Sequence, residues 1–201
     1  MPQSPDSPDE PIAERVDYIP KYMTTKGLDF GRLLNDDFFN AIRLLFNQTY
    51  YASAAKLLMT FIDTAGFVEF GDTGENTFVK WLGAYADLTP VEVTAQELWE
   101  HRNSLLHLTS PDSRRVRTGK VRRLMSYVGN LPVDLPTENQ NTKFYNLLSL
   151  IQAVGAACTR WAESYKKDRS KLEQFFDRYD LIVSDTRMLK VNIDDVINRS
   201  A

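Results

Sequence analysis

A single cysteine in 201 residues, Cys158, rules out a disulfide framework and a cysteine-rich zinc site, because a bridge needs two thiols and structural zinc usually takes four Cys or His ligands. Histidine is nearly as scarce: only His101 and His107 occur, and a helix carrying both would turn them to different faces. No zinc pair is therefore expected, and no cofactor is expected. The longest apolar run, residues 147–158, is too short for a bilayer and is interrupted by Ser149 and Gln152. The opening MPQSPDSPDEP is acidic and proline-rich, unlike a signal peptide, so the expectation is a cytoplasmic protein with no membrane partner. A net charge of −3 argues against the uniformly basic surface of a nucleic-acid coat protein but leaves room for a local basic patch. What remains, 43% hydrophobic and 25% charged, is a globular composition.

Residues 1–11 offer almost nothing to bury and read as a disordered tail, leaving residues 12–201 as one domain. Helical periodicity begins at Asn35, where Asn35 or Asp36 would cap a helix bearing Phe38, Ile42, Leu45 and Phe46 on one face. A second helix is expected over about 50–65, with Gly66 as its stop, and a third carries Phe78, Trp81, Leu82 and Tyr85. The fourth is the best marked, because Thr94 and Glu97 form a T-x-x-E capping box in front of LWEHRNSLLHL. KVRRLMSYVG then suggests a short strand or hairpin. The longest stripe, Phe144, Leu147, Leu148, Ile151, Val154, Cys158, Trp161 and Tyr165, predicts a central helix over about 142–166, with Cys158 a small buried hydrophobe. Leu172, Phe175, Phe176 and Tyr179 suit a last helix from about Ser170, packed on the bundle or on another chain. The fold class expected is an all-α antiparallel helical bundle with a short β-like or irregular excursion after the fourth helix.

The chemistry concentrates in ELWEHRNSLLHL. At about 100° per residue, Leu98, Trp99, Leu105, Leu106 and Leu108 share a broad apolar arc with Arg102 near its middle. A guanidinium there must be paired, or must line a cleft or a subunit interface, because burying it bare is expensive. A salt bridge within the bundle, for instance to Asp63, is the structural alternative. Asn103 and His107 stand four residues apart at the border of the arc, with Glu100 a further turn back on the same side. Arginine presents a fixed fork of donors matched to phosphate oxygens, and histidine exchanges protons near neutral pH. Together they suit transesterification of RNA, in which a ribose 2′-OH attacks the adjacent phosphate.

RNSLLH, residues 102–107, resembles the R-x4-H motif of the HEPN superfamily in its form with a polar residue, here Asn103, after the arginine. The stretch from DDFFNAIRLLFNQ through SAAKLLMTFIDTAGFVEFGD and FVKWLGAYADL to LWEHRNSLLHLTSPDSRRV is also similar to a bacterial, plasmid-associated branch of that superfamily. The resemblance implies a metal-independent endoribonuclease, acting as a homodimer that brings two motif helices to one cleft. In it Arg102 would stabilise phosphoryl charge, His107 would handle the proton and Asn103 would orient one of them. Glu100 joins this set from the helical wheel alone. Many members are toxins or abortive-infection effectors restrained by an antitoxin protein. Thr109 stands where the branch controlled by a nucleotidyltransferase antitoxin has tyrosine, so that form of control is not implied.

Beyond the motif, Arg114, Arg115, Arg117, Lys120, Arg122 and Arg123 follow one another without an intervening acid and would attract an RNA backbone. Tyr127 offers a ring for an unpaired base. The run would otherwise be a solvated loop or strand face. A noncatalytic HEPN-like module that binds RNA, nucleotide or a partner protein would use the same residues.

Overall fold

The computed structural model describes residues 13–15, 19–25, 27–107, 113–131, 141–182 and 189–191. The expected tail, residues 1–11, lies outside them. The chain is mostly helical. Its elements are β1 (Ala13–Arg15), α1 (Ile19–Tyr22), β2 (Met23–Thr24), β3 (Gly27–Leu28), α2 (Phe30–Leu34), a π-helical turn (Asn35–Phe39), α3 (Asn40–Asn47), α4 (Tyr51–Phe70), α5 (Thr77–Tyr85), a 3-10 turn (Thr89–Val91), α6 (Ala95–His107), α7 (Arg114–Arg117), β4 (Arg123–Tyr127), β5 (Thr142–Asn146), α8 (Leu147–Lys167), α9 (Arg169–Ile182) and β6 (Leu189–Val191). None of the described helices is long and apolar enough to cross a membrane.

The first long helical run starts at Phe30, not at Asn35, because Asp29 caps it by accepting the Arg32 N–H at 2.9 Å. Asn35 and Asp36 fall inside the run. Buried Leu33 and Leu34 are followed five residues later by buried Phe38 and Phe39. Regular α spacing would turn the second pair away from the first. The π turn between them, with its i→i+5 bonds, brings both to the core. Phe38 and Phe39 then meet Phe61 edge-on, with centroids 5.2 and 5.0 Å away.

Helix α4 is the central element, burying residues from Ala54 to Val68 on more than one face. Gly66 does not stop it. A Cβ on Gly66 would sit 2.6 Å from the Thr77 carbonyl oxygen, so this glycine lets the start of α5 approach closely. The stop is Gly71, at φ 70°, and Arg178 of α9 donates to the last carbonyls, Val68 O at 2.9 Å and Glu69 O at 2.8 Å. The α6 start is as expected: Glu97 N–H donates to Thr94 Oγ1 at 3.1 Å, and Thr94 N–H donates to Glu97 Oε2 at 2.8 Å.

The expected strand after α6 is β4. Its partner is β5, parallel, in the register Arg123↔Thr142 to Tyr127↔Asn146. Helix α8 therefore begins five residues later than the periodicity of its stripe suggested, where Asn146 caps it by accepting the Ser149 N–H. Its buried face is Leu147, Leu150, Val154, Ala157, Cys158, Trp161 and Tyr165, while Leu148 is exposed. Burial holds the Cys158 thiol well above its usual acidity range, as suits a packing role.

Helix α9 packs on this bundle. Phe175 stacks on Tyr179 and meets Phe30, Trp161 and Tyr165. Lys171 reaches the buried Glu69 carboxylate, which also accepts from Tyr85 OH, Trp161 Nε1 at 2.8 Å and Tyr165 OH at 3.0 Å. Burial would raise the Glu69 pKa, but Lys171 and the aromatic donors outweigh it and hold the carboxyl below its usual range.

Candidate functional site

The capping box fixes where α6 starts, and the length of α6 then fixes which residues share each side. Glu97, Leu98, Glu100, His101 and Ser104 are buried, Arg102 and Asn103 are half-buried, and His107 is exposed at the end of the helix. Arg102 occupies the border between these zones and is held from three directions. Its Nε donates to Asp63 Oδ2 of α4 at 2.5 Å. Its Nη1 donates to Asn103 Oδ1 at 3.1 Å and lies 3.3 Å from His107 Nε2. Its guanidinium carbon stands 5.0 Å from the centroid of the Trp99 ring, which in turn packs on Phe78.

The three residues of the R-x4-H pattern are thus together within one chain, and the ion pair to Asp63 named as the structural alternative is present as well. A guanidinium can only donate, so this approach is a hydrogen bond in the His107 tautomer that carries its proton on Nδ1 and presents its lone pair on Nε2. The Arg102 and Asp63 side chains are 20% and 24% exposed. Burial raises the Asp63 carboxyl above its usual range, and the Arg102 hydrogen bond and charge partly restore it.

Glu100 is directed elsewhere. It is buried, and its carboxylate accepts from Ser113 Oγ at 3.0 Å and from Arg115 Nη1 at 3.2 Å. The helical wheel set Glu100 beside Asn103 and His107 because angle alone cannot show what packs on a face. Glu97, three residues earlier, receives Arg122 Nε at 2.8 Å. The two buried carboxylates therefore pin the chain between Ser113 and Arg122 against α6, and Ser113 caps α7 by accepting the Val116 N–H.

This arrangement divides the basic run. Arg115 and Arg122 are engaged by Glu100 and Glu97. Arg123 is half-buried in β4, and its N–H is paired with Asn141 O. Arg114, Arg117 and Lys120 are exposed and form no ion pair among the described residues. Tyr127 closes β4 and is half-buried. His101 faces away from the motif, with Nε2 3.2 Å from Tyr145 OH, and burial lowers its pKa to about 4. Thr109 lies outside the described residues.

Three functional details were not anticipated from sequence: the Glu97 and Glu100 clamp, Trp99 beneath the guanidinium, and the capping role of Ser113. A serine ahead of RRVR is the one signal that local reasoning could have used. Comparisons with known protein families, with curated proteins and with solved structures find no match to this chain.

Proposed function

We propose that this protein is a metal-independent endoribonuclease of HEPN type, working as a homodimer in which two copies of α6 share one cleft. The observation that carries the reading is the meeting of Arg102, Asn103 and the exposed His107. An RNA phosphate in the cleft would take hydrogen bonds from the guanidinium, and the His107 imidazole, its Nε2 released from Arg102 as the RNA docks, would accept the proton of the neighbouring 2′-OH. The 2′-oxygen forms a bond to phosphorus, the bond to the 5′-oxygen breaks, and a protonated imidazole returns a proton to that oxygen. The products are a 2′,3′-cyclic phosphate and a 5′-hydroxyl. DNA lacks the attacking group. Asn103 steadies Arg102, and Arg114, Arg117 and Lys120 hold the flanking strand. An activity of this kind fits a toxin or abortive-infection effector kept in check by an antitoxin protein.

The test is product-end analysis on synthetic RNA. A cyclic phosphate and a 5′-hydroxyl are expected, and a single 2′-deoxy substitution at the cut should abolish that cut. Cleavage that survives the 2′-deoxy substitution contradicts the mechanism. The Asp63 ion pair favours a second reading, in which Arg102 only braces α6 on α4 and the basic residues bind without cutting. Retained RNA binding with no cleavage, unaffected by His107→Ala, selects it.

A further inference from the structure

We infer that Asp63 is a positioning residue, which by taking the Nε–H of Arg102 turns Nη2 of the guanidinium toward a phosphate docked beside Asn103 and His107. The biological ligand in this inference rests on the ribonuclease reading; the anion chemistry does not. The guanidinium fork has five donors. Asp63 takes the one on Nε, and Asn103 and His107 take those of Nη1. The two on Nη2 meet no acceptor among the described residues. A bidentate contact needs parallel N–H bonds from two nitrogens, so what Arg102 offers a phosphate oxygen is the single nitrogen Nη2, with the rest of its fork held.

The brace comes from a rigid source. Asp63 stands on the central helix between buried Ile62 and Ala65, whereas Arg102 is carried by a different helix and has a long, flexible stem. Trp99 lies against the guanidinium without a hydrogen bond to direct it, so the carboxylate supplies the directional constraint. The same carboxylate carries negative charge, and if it merely competed with phosphate its removal would tighten anion binding. The two roles therefore predict opposite signs.

The experiment is a titration with inorganic phosphate, followed at the imidazole resonances of the full-length protein. The chain has only two histidines, and buried His101 is separable from exposed His107. In the parent, phosphate should shift the His107 resonances, and the Arg102 contact should bias the ring toward its Nδ1–H tautomer. Asp63→Asn should weaken phosphate binding about tenfold and release His107 to the ordinary tautomer mixture, as loss of orientation at a charged site does. Asp63→Glu should fall in between, and it carries the test if the Asn variant does not fold. Equal or tighter phosphate binding in both variants overturns the inference, as does a parent whose His107 ignores phosphate. A parent that binds phosphate in this way yet cuts no RNA ends the ribonuclease reading and leaves the positioning role intact. A parent that cuts RNA, with kcat and KM unchanged by Asp63→Asn, does the reverse.

Discussion

Between about pH 6.5 and 4.5, acid should weaken this fold through His101. The imidazole is buried against Tyr145, and burial lowers its pKa from 6.5 to about 4. The unfolded chain then binds the proton more readily than the folded one, so stability is complete above about pH 6.5 and declines as the pH falls toward 4. A gap of this size corresponds to ~3 kcal/mol, lost at up to ~1.4 kcal/mol per pH unit. Against a usual domain stability of about 5–15 kcal/mol the loss is large enough to measure. The raised carboxyl of Asp63 opposes the trend at the acid end, because there the folded chain holds its proton more tightly than the unfolded one. Urea unfolding of the parent, His101→Phe and His107→Gln at intervals from about pH 7 to 4.5 separates the contributions. The parent and the His107 variant should share the slope, and the His101 variant should be nearly flat whatever its absolute stability. An unchanged slope in His101→Phe would refute the reasoning.

Gly66→Ala places a methyl against the Thr77 backbone and should cost ~1–3 kcal/mol in urea unfolding, whereas a helix-propensity argument alone predicts a gain. Glu69→Gln leaves Lys171 without its buried counter-charge and should cost about 3 kcal/mol, a loss visible as a lower Tm. The parent should itself lose the Glu69 contribution as pH drops below about 4.5 through the lowered pKa of that carboxyl. Glu100→Ala strands Ser113 and Arg115; limited proteolysis between residues 113 and 120 should accelerate, and RNA affinity should fall although Glu100 itself touches no RNA.

Local signals were legible where their cause was local. The TAQE capping box placed the start of α6, and the spacing of Arg102, Asn103 and His107 brought out the cluster that the structure holds together. Asp63 was named from sequence as a partner for Arg102, and the structure supplies that contact. Errors arose where a distant segment decided the outcome. Gly66 has the form of a helix stop, yet it exists for the approach of Thr77. Phe144 fits the α8 stripe, but pairing with residues 123–127 draws it into β5. Glu100 shares an angular sector with His107, and burial beneath Ser113 and Arg115 gives it another task. For the same reason the basic run looked uniformly available: nothing in its own sequence reveals that Glu97 and Glu100 engage two of its arginines.

The most direct test of the account is cleavage of total bacterial RNA by the purified protein in EDTA, alongside Arg102→Ala and His107→Ala preparations of verified folding. Arg102→Ala removes a half-buried ion pair and should lower stability by only about 1–3 kcal/mol, leaving a folded protein to assay. The account predicts cleavage by the parent and loss of cleavage in both variants. A parent that leaves RNA intact, or folded variants that cut as fast as the parent, would contradict it.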